Sequence, residues 1–186
     1  SIGREFLYEF SLSKNDTILL SDIKHINLKI LGTTQPFSEF IPDYSQTVIQ
    51  YSFLDANGKL MSEERTGVIE NDKNIWIHPP RSNDAGILQL SAFPYIKFNN
   101  KRKWKWDLEA AYSNYKSEVY KHQYRKSKSH LYHSKLGPIL CKTILAETES
   151  SNGITSARFL FNNDYGFVLL EFLNIDGTKI TLTLIK

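Results

Sequence analysis

The stretch that decides the fold is the C-terminal quarter of the chain, ILCKTILAETESSNGITSARFLFNNDYGFVLLEFLNIDGTKITLTLIK (Ile139–Lys186). Four runs rich in β-branched and aromatic residues alternate in it with short turn sequences. The turns lie at Asn152-Gly153, Asn163–Gly166 and Asp176-Gly177, where Asn, Asp and Gly accept the positive φ angles of tight hairpins. The pattern therefore predicts an antiparallel meander of four strands.

The same alternation of strand-like runs and turns continues toward the N-terminus. TVIQYSFLD (Thr47–Asp55) leads into an Asn57-Gly58 turn, KLMSEERTGVIE returns from it, and NDK turns the chain again before NIWIH. REFLYEFSL and SDIKHINLKILG read as further strands. Helical turns are conceivable only in the irregular stretch 33–46 and around DLEAAYSNY (Asp107–Tyr115). We therefore predict one all-β domain spanning residues 1–186.

About ten strands in one domain curl or split into layers. Sequential tight turns favour a curved antiparallel sheet or an up-and-down barrel, with a Greek-key sandwich as the alternative.

The single cysteine, Cys141, excludes an internal disulfide and is expected to be a buried thiol. The apolar runs are too short for a membrane-spanning helix. The N-terminus lacks the basic-then-apolar order of a signal peptide, as in a mature chain from which a signal has been removed.

Positive charge is concentrated in one part of the sequence. Eleven basic and three acidic residues lie between Lys97 and Lys135, whereas acidic residues predominate in the remainder. Within this segment, strand alternation in RKWKWDL places Trp104, Trp106 and Leu108 on one face and Lys103, Lys105 and Asp107 on the other. In EVYKHQYR the same alternation places Tyr120, His122 and Tyr124 on one face and Val119, Lys121 and Gln123 on the other.

Three interpretations of this basic aromatic segment remain open. In the first interpretation, the aromatic side chains belong to the core and the lysines to a solvated face. In the second, the segment borders a pocket for an amphiphilic or anionic small molecule. In the third interpretation the basic strands bind nucleic acid, which we do not expect because no RNA-recognition signature, zinc knuckle or G-x-x-G loop is present. The histidines His122, His130 and His133 lack metal-site spacing and are expected at the surface.

The stretch NIWIHPPR (Asn74–Arg81) is interpreted as a strand that ends at or just before Pro79. Neither proline can donate a ladder hydrogen bond, and His78 is biased to extended geometry because a proline follows it. If the strand opens at the mouth of a barrel, Arg81 is a candidate to receive an anionic group. The alternative is that Arg81 forms an exposed ion pair with an acid such as Asp84.

The runs GVIENDKNIWIHPPR (67–81), FPYIKF (93–98) and NNDYGFVLLEFLNIDGTKI (162–180) resemble uncharacterised cell-envelope β-proteins of the Bacteroidetes type. The resemblance covers about a third of the chain and brings no catalytic residues. It implies a periplasmic or outer-membrane-associated protein after removal of a signal peptide.

These observations favour a non-enzymatic binding protein for an amphiphilic or anionic ligand, such as a lipid or a cell-envelope component. No G-x-S-x-G elbow, P-loop or G-x-G-x-x-G motif is present, so no catalytic residue, metal or cofactor is predicted. The alternative is a protein-interaction module of the inhibitor or immunity type, using the basic aromatic face against an acidic partner. A deep apolar cavity would support the carrier, and a filled core with a flat basic face would support the interaction module. The predicted ligand-binding residues are Trp76, His78, Arg81, Trp104, Trp106, Tyr120 and Tyr124.

Overall fold

The architecture is that of a β-protein, seen in a computed structural model that describes residues 2–33, 46–80, 88, 90–99, 101–111 and 117–186. No helical segment in these ranges has the length and apolar character needed to span a bilayer. The strands are β1 Glu5–Lys14, β2 Thr17–Ile18, β3 His25–Thr33, β4 Thr47–Leu54, β5 Leu60–Glu70, β6 Asn74–Ile77, β7 Tyr95–Lys97, β8 Lys103–Ala111, β9 Ser117–Ser134, β10 Gly137–Ser150, β11 Gly153–Asn162, β12 Gly166–Leu173 and β13 Thr178–Leu184.

All thirteen strands belong to one antiparallel sheet. Its order is β7-β6-β5-β4-β3-β1-β13-β12-β11-β10-β9-β8, with β2 added beside β1. The all-β prediction is confirmed, with three strands more than the approximate count of ten. Of the two architectures expected, the sheet is the curved open one, because no ladder joins β7 to β8 among the described strands.

The predicted C-terminal meander is confirmed as β10 to β13, each strand pairing antiparallel with the next. Its three turns end in Gly153, Gly166 and Gly177, whose φ angles are +131°, +74° and +81°. A side chain with a Cβ is disfavoured in this left-handed region, so glycine at these positions allows the strands to reverse without strain. The Asn57-Gly58 hairpin between β4 and β5 is confirmed in the same way.

Strand β6 ends at Ile77, as the two prolines predict. The exit is fixed by His78, whose backbone N–H donates to Gly67 O at 2.9 Å and whose carbonyl accepts from the hydroxyls of Tyr51 and Thr66 at 3.0 Å. Arg81 and Asp84 lie outside the described residues, so the ion pair and the anion contact expected there stay predictions.

The two helical turns considered from sequence have different outcomes. Asp107 to Ala111 continues strand β8, because these residues pair in register with β9, from Asp107 opposite Lys121 to Ala111 opposite Ser117. A helical turn at that position is therefore wrong as far as the described residues reach. Nearly all of the irregular stretch 33–46 lies outside the described residues.

One hydrophobic core fills the inner face of the curved sheet and draws on strands from both halves of the chain. Residues 88 and 90–93 also contribute to this buried region. The Thr155 hydroxyl donates to Leu90 O at 2.9 Å, the Ser91 hydroxyl donates to Asn174 Oδ1 at 3.3 Å, and Leu88 is fully buried. Cys141 is fully buried as expected, and burial raises the pKa of its thiol.

The connection between β7 and β8 is held by a buried lysine. Lys126 on β9 donates through Nζ to the backbone carbonyls of Lys97 and Asn99. Burial, and to a lesser degree the nearby Lys142, lowers the pKa of Lys126. The two strands that this connection joins are neighbours in the sequence and lie at opposite ends of the sheet order.

Candidate functional site

Five of the seven predicted ligand-binding residues meet where the two ends of the sheet overlap. Alternation on β8 and β9 turns Trp104, Trp106 and Tyr124 to the inner face, as predicted, and leaves Lys103, Lys105 and Gln123 exposed on the outer face. These inward rings contact rings from β6, β7 and the adjoining segments. We call this cluster the aromatic seam; it comprises Trp76, His78, Phe93, Tyr95, Trp104, Trp106, His122 and Tyr124.

Ring contacts join the two ends of the sheet across the seam. The ring centroids of Trp76 and Trp106 lie 5.7 Å apart in an edge-to-face arrangement, and those of Tyr95 and Trp104 lie 5.7 Å apart in a similar one. On the β8–β9 side, Trp104 stacks on Tyr124 at 5.3 Å. Aromatic pairs of this kind contribute about 0.5–1.5 kcal/mol each beyond their buried area. Side-chain packing therefore holds the ends together where no described backbone ladder does.

Strand β6 is covered on both of its faces. Trp76 points toward β8 and β9, whereas Ile75 and Ile77, one residue away on either side, pack against the hydrophobic core. The β6–β7 end of the sheet thus lies between the core and the β8–β9 end. The seam therefore lies where the two sheet ends overlap, with Trp76, His78 and Trp106 half-buried. A ligand-binding role for its residues stays a prediction.

Three ring nitrogens in the seam have no hydrogen-bond partner among the residues that the structure describes. They are Trp76 Nε1, Trp104 Nε1 and His122 Nε2, and all three atoms are buried. Other polar atoms of the seam are satisfied: the Tyr124 hydroxyl donates to Phe93 O at 3.2 Å.

The expectation that His122 lies at the surface is wrong. Its side chain is 1% exposed, and Nδ1 lies 2.8 Å from Thr148 Oγ1. Burial lowers the pKa of His122 from 6.5 to about 4, against a smaller opposing effect of Asp107. His122 is therefore a neutral imidazole near pH 7. Its position on the same strand face as Tyr120 and Tyr124 was the signal for burial, because both flanking residues of this face are aromatic.

Two sequence-predicted residues remain, Tyr120 and Arg81, and Arg81 lies outside the described residues. Tyr120 is buried on the inner face of β9, and its hydroxyl donates to Glu118 Oε2 at 2.9 Å. His130 and His133 are exposed, as expected. The described residues contain no group of three His, Cys, Asp or Glu side chains that could hold a metal ion.

The outer face of β8 to β13 carries an open groove of about 800 Å³. Strand registers arrange its exposed side chains in two rows that run across the strands. One row contains Lys103, Arg125, Leu145, Arg158 and Glu171, and the other contains Lys105, Gln123, Glu147, Ser156, Leu173 and Lys179.

The two ends of this outer groove differ in charge. At the β12–β13 end, Glu171 is bonded by Arg158 and Lys179, with Lys179 Nζ 3.1 Å from Glu171 Oε1. At the β8–β9 end, Lys103 lies directly opposite Arg125, and no acidic side chain in the described chain forms an ion pair with either of them or with Lys105. Like charges directly opposite each other destabilise a sheet, so an anion bound here would relieve repulsion.

A second, smaller pocket of about 100 Å³ lies on the inner face, walled by apolar side chains of both halves of the sheet and bordered by Arg4, Glu70 and Asn163. Pockets for drug-sized ligands are typically about 300–1,000 Å³. The pocket is therefore too small for a whole lipid. Sequence reasoning missed both the pocket and the groove, because each is assembled from strands that are distant in sequence.

Comparisons with known proteins give a shared fold. No family profile matches the chain, and no curated protein matches it. A lipoprotein candidate from Parabacteroides distasonis superposes with a TM-score of 0.53 at 8% sequence identity, covering 100% of this chain and 95% of that chain. An exported-protein candidate with a YmcC-like fold from Bacteroides fragilis has a TM-score of 0.49 at 9% identity, covering 100% and 95%. The hypothetical lipoprotein YmcC from Escherichia coli has a TM-score of 0.43 at 12% identity, covering 100% and 88%. The superposition on the Parabacteroides distasonis chain confirms the resemblance to Bacteroidetes β-proteins at the level of the fold.

Proposed function

We propose that this chain is a non-enzymatic, envelope-associated protein that binds an anionic amphiphile in the outer groove of β8 to β13. The observation that supports this most is the opposition of Lys103 and Arg125 beside Lys105, at the end of the groove where no acidic side chain of the described residues forms an ion pair with these cations. Exposed Leu145 lies directly beside Arg125 across the β9–β10 ladder, and exposed Leu173 lines the groove further along. Cationic and apolar side chains in one groove suit a ligand with an anionic head and an apolar part.

Location in the cell envelope is supported by the fold shared with the Parabacteroides distasonis lipoprotein candidate. A periplasmic or outer-membrane-associated protein meets anionic lipid headgroups and other anionic envelope components. Each Lys or Arg close to an anionic membrane surface contributes about 1 kcal/mol to binding at low salt. The three cations at the basic end of the groove would together contribute about 3 kcal/mol, enough to concentrate the protein on such a surface.

In this proposal the predicted aromatic residues support the site from behind. Lys103 and Lys105 alternate along β8 with Trp104 and Trp106, whose rings pack into the aromatic seam on the inner face. Packing of the two indoles fixes the position of the edge strand, and so of the two lysines. Trp76 and His78 contribute to the same packing, and Tyr124 contributes to it and also lines the groove together with Trp104.

The test is binding to lipid vesicles of defined charge. We expect the protein to co-sediment with phosphatidylglycerol vesicles and not with phosphatidylcholine vesicles at low salt. The double variant Lys103→Gln/Arg125→Gln should bind roughly thirtyfold more weakly, since two cations are removed. The matched control Lys24→Gln/Lys59→Gln removes two exposed lysines from the other half of the sheet and should bind as the unmodified protein does. Equal weakening by both double variants would assign binding to net charge and would contradict a specific groove.

A protein-interaction module remains the second candidate, and the filled core favours it over a carrier that encloses its ligand. The same basic end of the groove would then meet an acidic protein surface. Binding of poly-glutamate with the same dependence on Lys103 and Arg125, together with no binding to phosphatidylglycerol vesicles, would support this candidate and reject the amphiphile.

A further inference from the structure

The small inner pocket opens at one end of the curved sheet, away from the outer groove. Its walls come from both halves of the chain and are apolar, including Phe6, Leu28, Ile49, Val68, Ile75 and Phe167. The one hydroxyl among its lining residues belongs to Tyr8, and it donates to Phe167 O at 2.8 Å. The described walls therefore offer little to a polar group, and the interior suits hydrocarbon.

The rim of the pocket is polar and charged. Arg4 lies there with its guanidinium carbon 4.7 Å from the centroid of the Phe6 ring, and one of its N–H groups donates to Asp164 O. A guanidinium has five N–H donors in a planar fork that fits a carboxylate, so Arg4 keeps donors for a bound anion. Glu70 and Asn163 border the same opening, and Glu70 would repel an anion. A negative head is therefore favoured only on the Arg4 side.

We propose that this inner pocket binds a small carboxylate, with its alkyl tail against the apolar walls and its carboxylate against Arg4. The size of the tail follows from the volume. An apolar cavity of about 150 Å³ holds one benzene, that is, six carbon atoms, so a pocket of about 100 Å³ holds about four. This site uses none of the residues of the outer groove and does not depend on the function proposed for the groove.

The experiment is a titration of the full chain with straight-chain carboxylates from acetate to octanoate, followed by NMR of labelled Ile, Leu and Val methyl groups. Methyl signals of Leu28, Ile49, Val68 and Ile75 should shift, and those of Leu145 and Leu173 in the outer groove should not. Each added methylene should tighten binding about fourfold, which corresponds to about 0.8 kcal/mol of burial. The gain should stop near pentanoate, where the pocket is full.

Substitutions at two exposed residues of the pocket rim test the recognition of the carboxylate without changing the core. Arg4→Gln should remove the preference for pentanoate over pentanol, and Glu70→Gln should tighten pentanoate binding. A third variant, Ile30→Phe, fills part of the pocket from a half-buried wall position and should weaken pentanoate more than propionate. Because the unmodified protein carries the methyl readout, the proposal is tested even if the filled variant does not fold.

The outcomes separate this proposal from the one made for the groove. Pocket methyl shifts that saturate, with a plateau near five carbons, support a carboxylate site whether or not vesicles bind. An affinity that keeps rising with chain length up to octanoate would contradict the claim that the pocket confines the alkyl tail. An absence of pocket methyl shifts with every chain length would overturn the site itself, and shifts confined to Leu145 and Leu173 would do so while supporting the outer groove.

Discussion

His122 Nδ1 on β9 lies 2.8 Å from Thr148 Oγ1 on β10, and both side chains are about 1% exposed. Around them lie the rings of Phe93 and Trp106, at centroid distances of 5.9 and 4.9 Å from the imidazole. Protonation of His122 would place a cation among these aromatic rings, with the attraction of Asp107 as a smaller opposing effect. Folding therefore favours the neutral imidazole.

The first prediction is a loss of stability in mild acid. The pKa of His122 is lowered from 6.5 to about 4 on folding, so between these pH values the unfolded chain binds a proton that the folded chain excludes. The stability contributed by neutral His122 is fully present above pH 6.5. As the pH falls from 6.5 toward 4, the free energy of unfolding decreases by roughly 3 kcal/mol in total. Urea unfolding at a series of pH values measures it.

The matched control for this prediction is His130→Gln, which changes an exposed histidine and should leave the pH dependence intact. His122→Gln should remove most of the slope between pH 6.5 and 4. Asp176 is separable by its pH window, because its pKa is lowered from 3.8 to about 2, chiefly by its bonds to Thr178. The contribution of Asp176 to stability is therefore lost only in stronger acid, as the pH falls from about 4 toward 2. A slope that persists in His122→Gln would contradict this account.

The second prediction ranks the two tryptophans of β8. Trp104 is 6% exposed and stacks on Tyr124, so Trp104→Ala should lower the free energy of unfolding by about 3–5 kcal/mol. Trp106 is only partly buried, and Trp106→Ala should cost less. Chemical denaturation of the two variants checks the order. An equal or reversed cost would mean that the overlap of the sheet ends is packed differently.

The third prediction is that one substitution raises the stability of the protein and weakens its binding to anionic vesicles. Lys103→Glu replaces a like-charge pair with an ion pair to Arg125, so the urea midpoint should rise slightly. The same change removes a cation and adds an anion in the outer groove, so binding to phosphatidylglycerol vesicles should weaken more than fivefold. Lys59→Glu, in the β4–β5 turn, serves as the charge-matched control. Binding that follows stability upward would refute an anion site at this position.

The fourth prediction concerns local stability within the sheet. Strand β12 pairs on both sides, with β11 and β13, and four consecutive residues from Phe167 to Leu170 are buried. Amides of Phe167–Leu173 should therefore exchange slowly with deuterium. Amides of β8 that have no ladder partner among the described strands should exchange faster. Fast exchange throughout β12 would be incompatible with the observed register.

A feature of the fold could be predicted from the sequence when its physical cause lies in one residue or its immediate neighbours. Period-two alternation correctly places Trp104 and Lys103 on opposite faces, because a strand imposes it residue by residue. Pro79 correctly ends β6, because a missing N–H is a property of that residue alone. The opposition of Leu145 and Arg158 depends on which strands pair and in what register, and one residue of slip would exchange the faces.

The same distinction explains the site. The converging aromatic residues were identified, since each sits on the predicted inner face, but their burial was not, because it results from overlap of β6 with the distant strands β8 and β9. The sequence did not indicate a role for Arg4, because the residues that border the pocket with it, Glu70 and Asn163, are distant in the chain. The role of Arg81 and a single domain spanning residues 1–186 stay predictions.

The placement of β7 and β8 at opposite ends of the sheet order has a consequence for exchange between molecules. In the described chain, strands β1 to β7 and strands β8 to β13 form two half-sheets, and one backbone ladder, β1 with β13, joins them. Their only covalent link there is the short connection that Lys126 holds. Opening of that connection would let the half-sheet of one molecule complete the other half of a second molecule through the same ladder, core and seam, which is the exchange that defines a domain-swapped dimer.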